Sequence, residues 1–79
     1  MSFPFHYTVN AYDENGVLQE QLVDARNWQA TEMCCDYVYT WDFAYSEIID
    51  CLGQHHGEYG VRPASLGERK FTPSPVGVF

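Results

Sequence analysis

The stretch CCDYVYTWDFAYSEIIDC, residues 34–51, decides how this 79-residue chain folds. It belongs to a longer segment in which apolar residues recur at spacings of three and four, the pattern of one buried helix face. These residues are Ala30, Met33, Cys34, Tyr37, Val38, Trp41, Tyr45, Ile48 and Leu52. Asn27 is a good helix N-cap, and Gly53 is a natural left-handed terminator. The pattern therefore predicts one long amphipathic helix between Asn27 and Gly53.

The weak point of this helix is the run YVYTW, residues 37–41, which is rich in residues that favour strands. A break at this run would divide the helix into two. We prefer one continuous helix because the apolar stripe keeps its phase across the run. In this interpretation Trp41 belongs to the core.

The residues before the helix predict a β-hairpin. Apolar and polar residues alternate from Phe5 to Tyr12, which is typical of a half-buried strand. Asn15-Gly16 supplies the positive backbone φ of a tight hairpin turn, so Val17 to about Ala25 is expected to return antiparallel. A hairpin alone is marginally stable in water, and we expect the helix to cover its apolar face.

The residues after the helix predict a short third strand and a tail. Glu58–Arg62 is expected to form a strand at the edge of the hairpin. From Ala64 to Phe79 the chain includes the run Thr-Pro-Ser-Pro, which predicts an extended Pro-rich tail. The sequence thus predicts a single α+β domain, residues 1–79, of ββαβ order, with a core in residues 1–63 and a C-terminal tail in residues 64–79.

The chain is strongly acidic, and its charge is unevenly distributed. Eleven Asp and Glu residues against four Lys and Arg residues give a net charge of −7. Up to residue 61, ten acids against Arg26 alone give −9, whereas residues 62–79 carry three basic residues against Glu68, which gives +2. Nucleic acids and anionic membranes require basic surfaces. We therefore expect no direct binding to nucleic acid or to a membrane, and a basic protein or protein complex as the partner.

The cysteine count and the lack of long apolar runs favour a location in the cytoplasm. Three cysteines are an odd number, which argues against a closed set of disulfides and for a reducing environment. The first residues lack the basic and apolar regions of a signal peptide, and no apolar run approaches the roughly 20 residues of a membrane span. We expect a cytoplasmic protein.

Five cysteines and histidines suggest zinc at first sight, namely Cys34, Cys35, Cys51, His55 and His56. In a continuous helix Cys34 and Cys51 are separated by about 25 Å, at roughly 1.5 Å per residue, and share neither a metal nor a disulfide. Cys51 with His55 supplies two or three ligands at most, fewer than a structural zinc site needs. We expect no metal site and no cofactor, with Cys34 as a small core residue.

No arrangement of residues in the sequence points to catalysis. A nucleophilic cysteine needs a base and an electropositive setting, whereas Cys35 has the carboxylates of Glu32 and Asp36 as neighbours. The sequence has no Gly-x-Ser-x-Gly, no phosphate-binding glycine loop and no His-Glu-x-x-His. We expect a protein that is not an enzyme.

An acidic face of the predicted helix is the strongest functional feature. Projected at about 100° per residue, four carboxylates share one side of the helix with exposed aromatics, and no basic residue neutralises them. Such a surface suits docking on an Arg/Lys-rich protein, because the acids steer the approach and the rings anchor the contact. The predicted partner-binding residues are Glu32, Asp36, Tyr39, Asp42, Phe43, Glu47 and Asp50. The alternative is that the charge only keeps the protein soluble.

In size, charge and predicted hairpin-helix-strand order, the chain resembles the small acidic anti-CRISPR proteins by which phages block bacterial CRISPR complexes. The resemblance includes no diagnostic motif. It implies a non-enzymatic inhibitor in the cytoplasm of an infected bacterial host, whose carboxylates occupy the basic channel of a Cas effector in place of DNA. Two alternatives are an immunity- or antitoxin-type binder that neutralises a basic toxin and a structural or assembly accessory protein.

Overall fold

The computed structural model describes residues 6–69, which form a small α+β domain. Four antiparallel strands form a sheet of order β2-β1-β3-β4, and one α-helix packs against a face of it. The elements are β1 (Tyr7–Tyr12), β2 (Leu18–Ala25), α1 (Asn27–Tyr39), β3 (Tyr45–Asp50), β4 (His55–Gly60) and a 3₁₀ turn (Ala64–Leu66). Two hairpins therefore flank the helix in sequence, and β1 pairs with β3 at the centre of the sheet.

The N-terminal hairpin is confirmed, because β1 and β2 pair antiparallel around a tight turn. In this turn Asp13 Oδ1 accepts hydrogen bonds from the N–H groups of Asn15 and Val17, at 2.8 and 2.9 Å. Gly16 has a φ of 81°, which lies in the left-handed region that glycine enters without strain. The turn is thus specified by side-chain hydrogen bonding and by a glycine.

The prediction of one long helix is wrong, because α1 ends at Tyr39 and a strand follows. The N–H groups of Thr40 and Trp41 both donate to the carbonyl of Asp36, at 2.8 and 2.9 Å, and complete the last helical turn. Asp42 then adopts a φ of 61°. Aspartate is one of the few residues besides glycine that visit this left-handed region, so it turns the chain out of the helix.

The segment that misled the helix prediction is β3, which lies between β1 and β4. Its residues Tyr45, Ser46, Glu47 and Ile48 are all buried, so apolar and polar positions do not alternate along it. A short buried strand of this kind cannot be distinguished from a buried helix by periodicity alone. The helix therefore breaks at the strand-favouring run of residues 37–41, the weak point of the pattern.

The third strand that the sequence predicts is displaced. β4 covers His55–Gly60 rather than Glu58–Arg62. It pairs with β3, at the edge of the sheet remote from β2, and not with the N-terminal hairpin. The order of elements along the chain is ββαββ instead of ββαβ, because residues 45–50 form an additional strand.

The segment after β4 is not a simple extended tail. A 3₁₀ turn forms at Ala64–Leu66, and Ser65 Oγ donates to the carbonyl of Asn15, in the turn of the first hairpin, at 2.8 Å. We call residues 62–69 the arm, because they reach across the sheet face opposite α1. The rest of the predicted Pro-rich tail, residues 70–79, lies outside the described residues.

The core lies between α1 and the sheet. Its buried members are Val9, Ala11, Ala25, Ala30, Cys34, Tyr37 and Ile48. The placement of Cys34 in the core is confirmed, whereas Trp41 is 52% exposed and does not belong to it. Ser46 Oγ donates to the carbonyl of Cys34 and lies 3.0 Å from its Sγ. Because a hydroxyl has one hydrogen, the thiol is the donor in the second contact, and the pair links α1 to β3.

Candidate functional site

The two faces of the sheet carry different chemistry. Alternate residues of a strand point to opposite faces. Val9 and Ile48, which are paired across β1 and β3, pack against α1, whereas the next pair, Asn10 and Glu47, points to the face that the arm covers. We call the latter the arm face. The seven predicted binding residues are divided between this face, the outward side of α1, the loop between α1 and β3, and the end of β3.

Glu47 is a buried carboxylate on the arm face and does not belong to the exposed acidic helix face that the sequence predicted. It is 7% exposed. Its Oε1 accepts a hydrogen bond from Arg62 Nη1 at 2.9 Å, and its Oε2 accepts from Tyr12 OH at 3.0 Å and from Asn10 Nδ2 at 3.3 Å. Burial, followed by the charge of Glu47, raises the pKa of Tyr12 to about 12. Glu47 therefore holds the start of the arm to the sheet.

A second carboxylate, Glu58 on β4, holds the end of the arm. Arg69 donates to it from two nitrogens, with 2.6 Å between Nε and Oε1. Hydrogen bonding from Arg69 lowers the pKa of Glu58 to about 2. The buried His55 lies with Nε2 3.2 Å from Glu58 Oε1, and burial lowers the pKa of its imidazole. Tyr45 OH also donates to Glu58, at 2.9 Å, so several groups of the arm face converge on one carboxylate.

A cavity of about 350 Å³ opens beside these groups. Its lining consists of Tyr12, Glu47, Ile49, Gly53, Arg62 and Leu66. The two charged residues of the lining, Glu47 and Arg62, pair with each other, and the guanidinium also donates to the carbonyl of Gly67 at 2.9 Å. These groups satisfy one another. We therefore assign the polar residues of the arm face to fastening the arm and not to binding a ligand.

Asp50 is committed to the turn between β3 and β4. Its Oδ1 accepts from the N–H groups of Leu52 and Gln54, at 2.9 and 2.8 Å, and its Oδ2 lies 2.8 Å from His56 Nε2. Burial opposes ionisation, but the hydrogen bonds from Gln54, His56 and Leu52 hold the pKa of this carboxyl below its usual value. Asp50 thus stabilises a hairpin turn, and it is not part of an acidic helix face.

Glu32, Asp36 and Tyr39 do lie together, on the outward side of α1. Counted from Trp28 at about 100° per residue, they fall at about 40°, 80° and 20°. Trp28 is 67% exposed and Tyr39 is 69% exposed. Among residues 6–69, neither Glu32 nor Asp36 takes part in an ion pair. We call these four residues the α1 face, and it is the candidate functional surface.

A groove of about 260 Å³ runs between the α1 face and β2. Its lining consists of Leu22, Trp28, Gln29, Glu32, Met33 and Asp36. Leu22 and Met33 are partly buried and pack against the core, so they supply an apolar lining. Trp28 and Glu32 are exposed and border the groove. The groove therefore places an aromatic ring, two carboxylates and an apolar surface next to one another.

The two remaining predicted residues lie in the loop between α1 and β3. Asp42 is exposed and forms no ion pair within residues 6–69. Phe43 is only partly exposed, packs against the core and stacks on Trp41 with 6.1 Å between ring centroids. Phe43 is thus not the exposed anchor that the helix projection predicted. Trp41 is the more exposed ring of the pair.

Two of the three basic residues within residues 6–69, Arg62 and Arg69, lie on the arm face, and the third, Arg26, directly precedes α1. Arg62 and Arg69 neutralise Glu47 and Glu58 there. By contrast, α1 contains no lysine or arginine. Glu47 and Glu58 are therefore paired with cations, whereas Glu32 and Asp36 of the α1 face have no cation within ion-pair distance among residues 6–69.

The cysteines do not converge with the histidines or the acids. Among the residues that the structure describes, no group of three His, Cys, Asp or Glu side chains is placed to hold a metal ion. Cys34 is buried, and burial raises the pKa of its thiol to about 11, whereas Cys51 is exposed. The helix distance that separated these two cysteines in the sequence analysis does not apply, because they lie on different elements.

Sequence reasoning missed the groove and the arm-face network. Trp28 precedes Glu32 and Asp36 by four and eight residues, and this spacing on one helix face was a signal for the aromatic member of the α1 face. Leu22 enters the groove only because β2 pairs at the edge of the sheet beside α1. The pairing of Arg62 with a residue of β3 depends on tertiary structure in the same way, and no local pattern indicates it.

Comparisons of the chain with known protein families, with curated proteins and with solved structures find no match. Within residues 6–69 no helix is both long enough and apolar enough to cross a membrane. The fold and the surface together define a small α+β domain with an acidic, partly aromatic helix face.

Proposed function

We propose that this protein is a non-enzymatic binding protein that docks on a basic protein or protein complex through the α1 face. The observation that carries the proposal is that Glu32 and Asp36 lie beside exposed aromatic rings on one side of α1 and form no ion pair within residues 6–69. The four residues of the α1 face are Trp28, Glu32, Asp36 and Tyr39. They replace the seven-residue surface that the sequence predicts, because Glu47 and Asp50 are engaged within the domain and Phe43 packs against the core. Asp42 lies in the loop after α1, next to this face in sequence.

Solubility alone does not require the arrangement of the α1 face. Two like charges at positions i and i+4, such as Glu32 and Asp36, destabilise a helix by about 0.2–0.5 kcal/mol. A surface that only solubilises the domain could carry lysine at one of these positions and gain a similar amount. Two exposed rings, Trp28 and Tyr39, frame the acids. Aromatic residues beside uncompensated charge are the composition of an interface that steers and then anchors a partner of opposite charge.

The most specific form of the proposal is an inhibitor of a nucleic-acid-binding complex, as the resemblance to anti-CRISPR proteins implies. A basic channel that holds target DNA presents arginine and lysine side chains at close spacing. The carboxylates of Glu32 and Asp36, with Asp42 in the adjacent loop, would occupy part of this channel and exclude the phosphates of the DNA. Such an inhibitor acts in the cytoplasm of a bacterial host and needs no cofactor.

A competition assay tests this proposal. Purified Cas effector complexes loaded with guide RNA are incubated with this protein, and the binding of labelled target DNA is measured. We expect the protein to exclude target DNA from at least one complex, and the inhibition to weaken as NaCl rises from 0.1 M, where the screening length is about 10 Å, to 1 M, where it is about 3 Å.

A matched pair of variants supplies the control. Glu32→Lys/Asp36→Lys reverses the acids of the α1 face, whereas Glu14→Lys/Glu68→Lys makes the same change of net charge at exposed positions away from it. The first variant should lose inhibition, and the second should keep it. Simultaneous binding of DNA and this protein, or equal effects of the two variants, would contradict the occupancy mechanism. Failure on every effector complex would refute the inhibitor proposal, and a basic toxin would then be tested as the partner.

A further inference from the structure

The groove between α1 and β2 has the size of a site for one side chain. Its volume of about 260 Å³ lies below the roughly 300–1,000 Å³ of sites for drug-sized ligands. The lining is also mixed in a specific way. Partly buried Leu22 and Met33 are apolar, exposed Trp28 presents an aromatic ring, and Glu32 and Asp36 present carboxylates. A purely apolar side chain would leave the acids without a partner, and a small ion would leave the apolar lining uncovered.

An arginine side chain matches each part of this lining. Its three methylene groups cover apolar surface while the charged end stays near water, so the stem suits Leu22 and Met33. Its planar guanidinium stacks on aromatic rings, with tryptophan the preferred partner, so the head suits Trp28. Its five N–H donors form paired hydrogen bonds with carboxylates, which Glu32 and Asp36 offer on successive helical turns.

We infer that this groove is a binding site for an arginine side chain of the partner protein, and that it prefers arginine to lysine. The inference rests on the proposed function and specifies the chemistry of the partner. Lysine carries the same charge, but its ammonium is a strongly hydrated point charge that neither stacks on Trp28 as a plane nor bridges two acceptors in a fixed geometry. The occupant is thus a segment of a basic protein with an exposed arginine.

Titration with two synthetic peptides tests the inference directly. Hexaarginine and hexalysine carry equal side-chain charge and are added to the ¹⁵N-labelled protein at 50 mM NaCl, with binding followed by NMR. We expect the largest shifts at the indole N–H of Trp28 and at the backbone of Gln29 and Met33. We expect hexaarginine to bind about 2- to 5-fold more tightly than hexalysine, the ratio that one exposed cation–π contact supports.

Variants separate the aromatic contribution from the charge. Trp28→Ala should reduce the preference for hexaarginine over hexalysine, because it removes the stacking surface and leaves only the carboxylates that a guanidinium can bridge. Trp41→Ala, which changes the exposed tryptophan of the α1-β3 loop, should keep the preference for arginine. Glu32→Gln/Asp36→Asn should weaken the binding of both peptides by about threefold or more at this low salt, whereas Glu14→Gln/Glu68→Gln should weaken them much less.

Several outcomes would overturn the inference. Equal affinity for the two peptides, a preference for arginine that Trp28→Ala leaves undiminished, or shifts centred outside the groove would each do so. The test is also independent of the competition assay. Preference for hexaarginine without exclusion of DNA from any effector complex would keep the arginine site and refute the inhibitor proposal. Exclusion of DNA without a preference for arginine would keep the inhibitor proposal and refute the site.

Discussion

At the scale of single residues, the arm face depends on the largely buried ion pair between Glu47 and Arg62. Each of the two charges stabilises the folded protein only while the other is present. The side chains of Glu47 and Arg62 are 9% and 12% exposed. Removing one partner of a buried pair leaves an uncompensated charge, which typically costs about 3–5 kcal/mol, whereas replacing both partners by apolar residues is often nearly neutral. The contribution of each residue therefore depends on the other.

We predict that Arg62→Met lowers the free energy of unfolding by about 3 kcal/mol. The double variant Glu47→Met/Arg62→Met should lose less than the summed losses of Arg62→Met and Glu47→Met, because each single variant leaves the other charge uncompensated. Urea denaturation followed by circular dichroism measures each variant. Arg26→Met, at an exposed arginine before α1, is the control and should change stability by less than about 0.5 kcal/mol. A loss at Arg62 no larger than that of the control would show that the pair contributes little.

The thiols of Cys34 and Cys51 should differ in reactivity, because their surroundings differ. Cys34 is fully buried, its Sγ lies 3.0 Å from Ser46 Oγ, and burial raises its pKa to about 11, so thiolate is scarce at neutral pH. Cys51 is exposed in the β3-β4 turn. We predict that Ellman's reagent modifies Cys51 rapidly in the folded protein, and that Cys34 reacts only after unfolding in urea. Reaction of Cys34 at the rate of Cys51 would contradict the buried link between α1 and β3.

At the scale of elements, the place where helix changes to strand depends on Asp42. This residue holds a φ of 61°, a region that costs most L-residues about 1–2 kcal/mol. We predict that Asp42→Val lowers the free energy of unfolding by about 1–2 kcal/mol, since a β-branched side chain is most strained there. Asp42→Gly should be neutral or stabilising. Thermal denaturation of the two variants measures the difference, and equal melting temperatures would mean that the φ of this residue does not limit stability.

Some of these elements could be predicted from the sequence and others could not. The first hairpin and the first three turns of the helix could be predicted, because Asn15-Gly16 and the spacing of Ala30, Cys34 and Tyr37 are local signals. No local signal of this kind identifies β3. It is covered on both faces, so its burial follows from neighbours that are distant in sequence, and the spacing of Trp41, Tyr45 and Ile48 imitates a helix by coincidence.

The attachment of the arm to β4 should depend on pH. Hydrogen bonding from Arg69 lowers the pKa of Glu58 to about 2, so this carboxylate contributes stability above its unfolded value of roughly 4.3 and loses it as pH falls toward 2. Burial lowers the pKa of His55, so the folded state also loses stability as pH falls through roughly 6.5, where the unfolded imidazole takes up a proton. Both groups act in the same direction, and acid destabilises the arm face.

We predict that the free energy of unfolding decreases from pH 7 to pH 5 through His55 and decreases further from about pH 4.5 to pH 2 through Glu58. Urea denaturation at each pH measures this profile. Glu58→Gln should flatten the lower part of the profile, and Glu14→Gln, at an exposed acid of the first turn, should leave it unchanged. Stability that rises on acidification from pH 7 to pH 5 would contradict the depressed pKa of His55.

At the scale of the whole molecule, Glu47 and Glu58 of the arm face are paired with arginines and the acids of the α1 face are not, and the candidate site is only partly visible in the sequence. Glu32, Asp36 and Tyr39 could be predicted as one face, because all three lie within α1, where the helical spacing is real. Glu47 and Asp50 were assigned to the same face only through a helix that ends before them. The groove could not be predicted at all, since Leu22 joins it by the pairing of β2 with the sheet.

Salt should distinguish the two sides, because it screens exposed charges more than buried ones. Screening weakens the repulsion between acids on the α1 face, which stabilises the folded protein. It also weakens ion pairs, but Glu47 and Arg62 are nearly buried and lose little. With a net charge of −7, repulsion is the larger effect, and we predict that NaCl raised from 20 to 500 mM at pH 7 increases the melting temperature.

The α1 face should account for a measurable share of this increase. Like charges at positions i and i+4 cost about 0.2–0.5 kcal/mol, which corresponds to about 1–4 °C for a domain of this size. Glu32→Gln/Asp36→Asn should therefore raise the melting temperature at low salt by about this amount and reduce its dependence on salt. Glu14→Gln/Glu68→Gln removes the same charge elsewhere, and it should raise the melting temperature and reduce its dependence on salt by a smaller amount. A melting temperature that falls with salt would mean that attraction between charges on the arm face outweighs repulsion on the α1 face. Repulsion between Glu32 and Asp36 would then not be a measurable cost to the folded protein that a cationic partner could relieve.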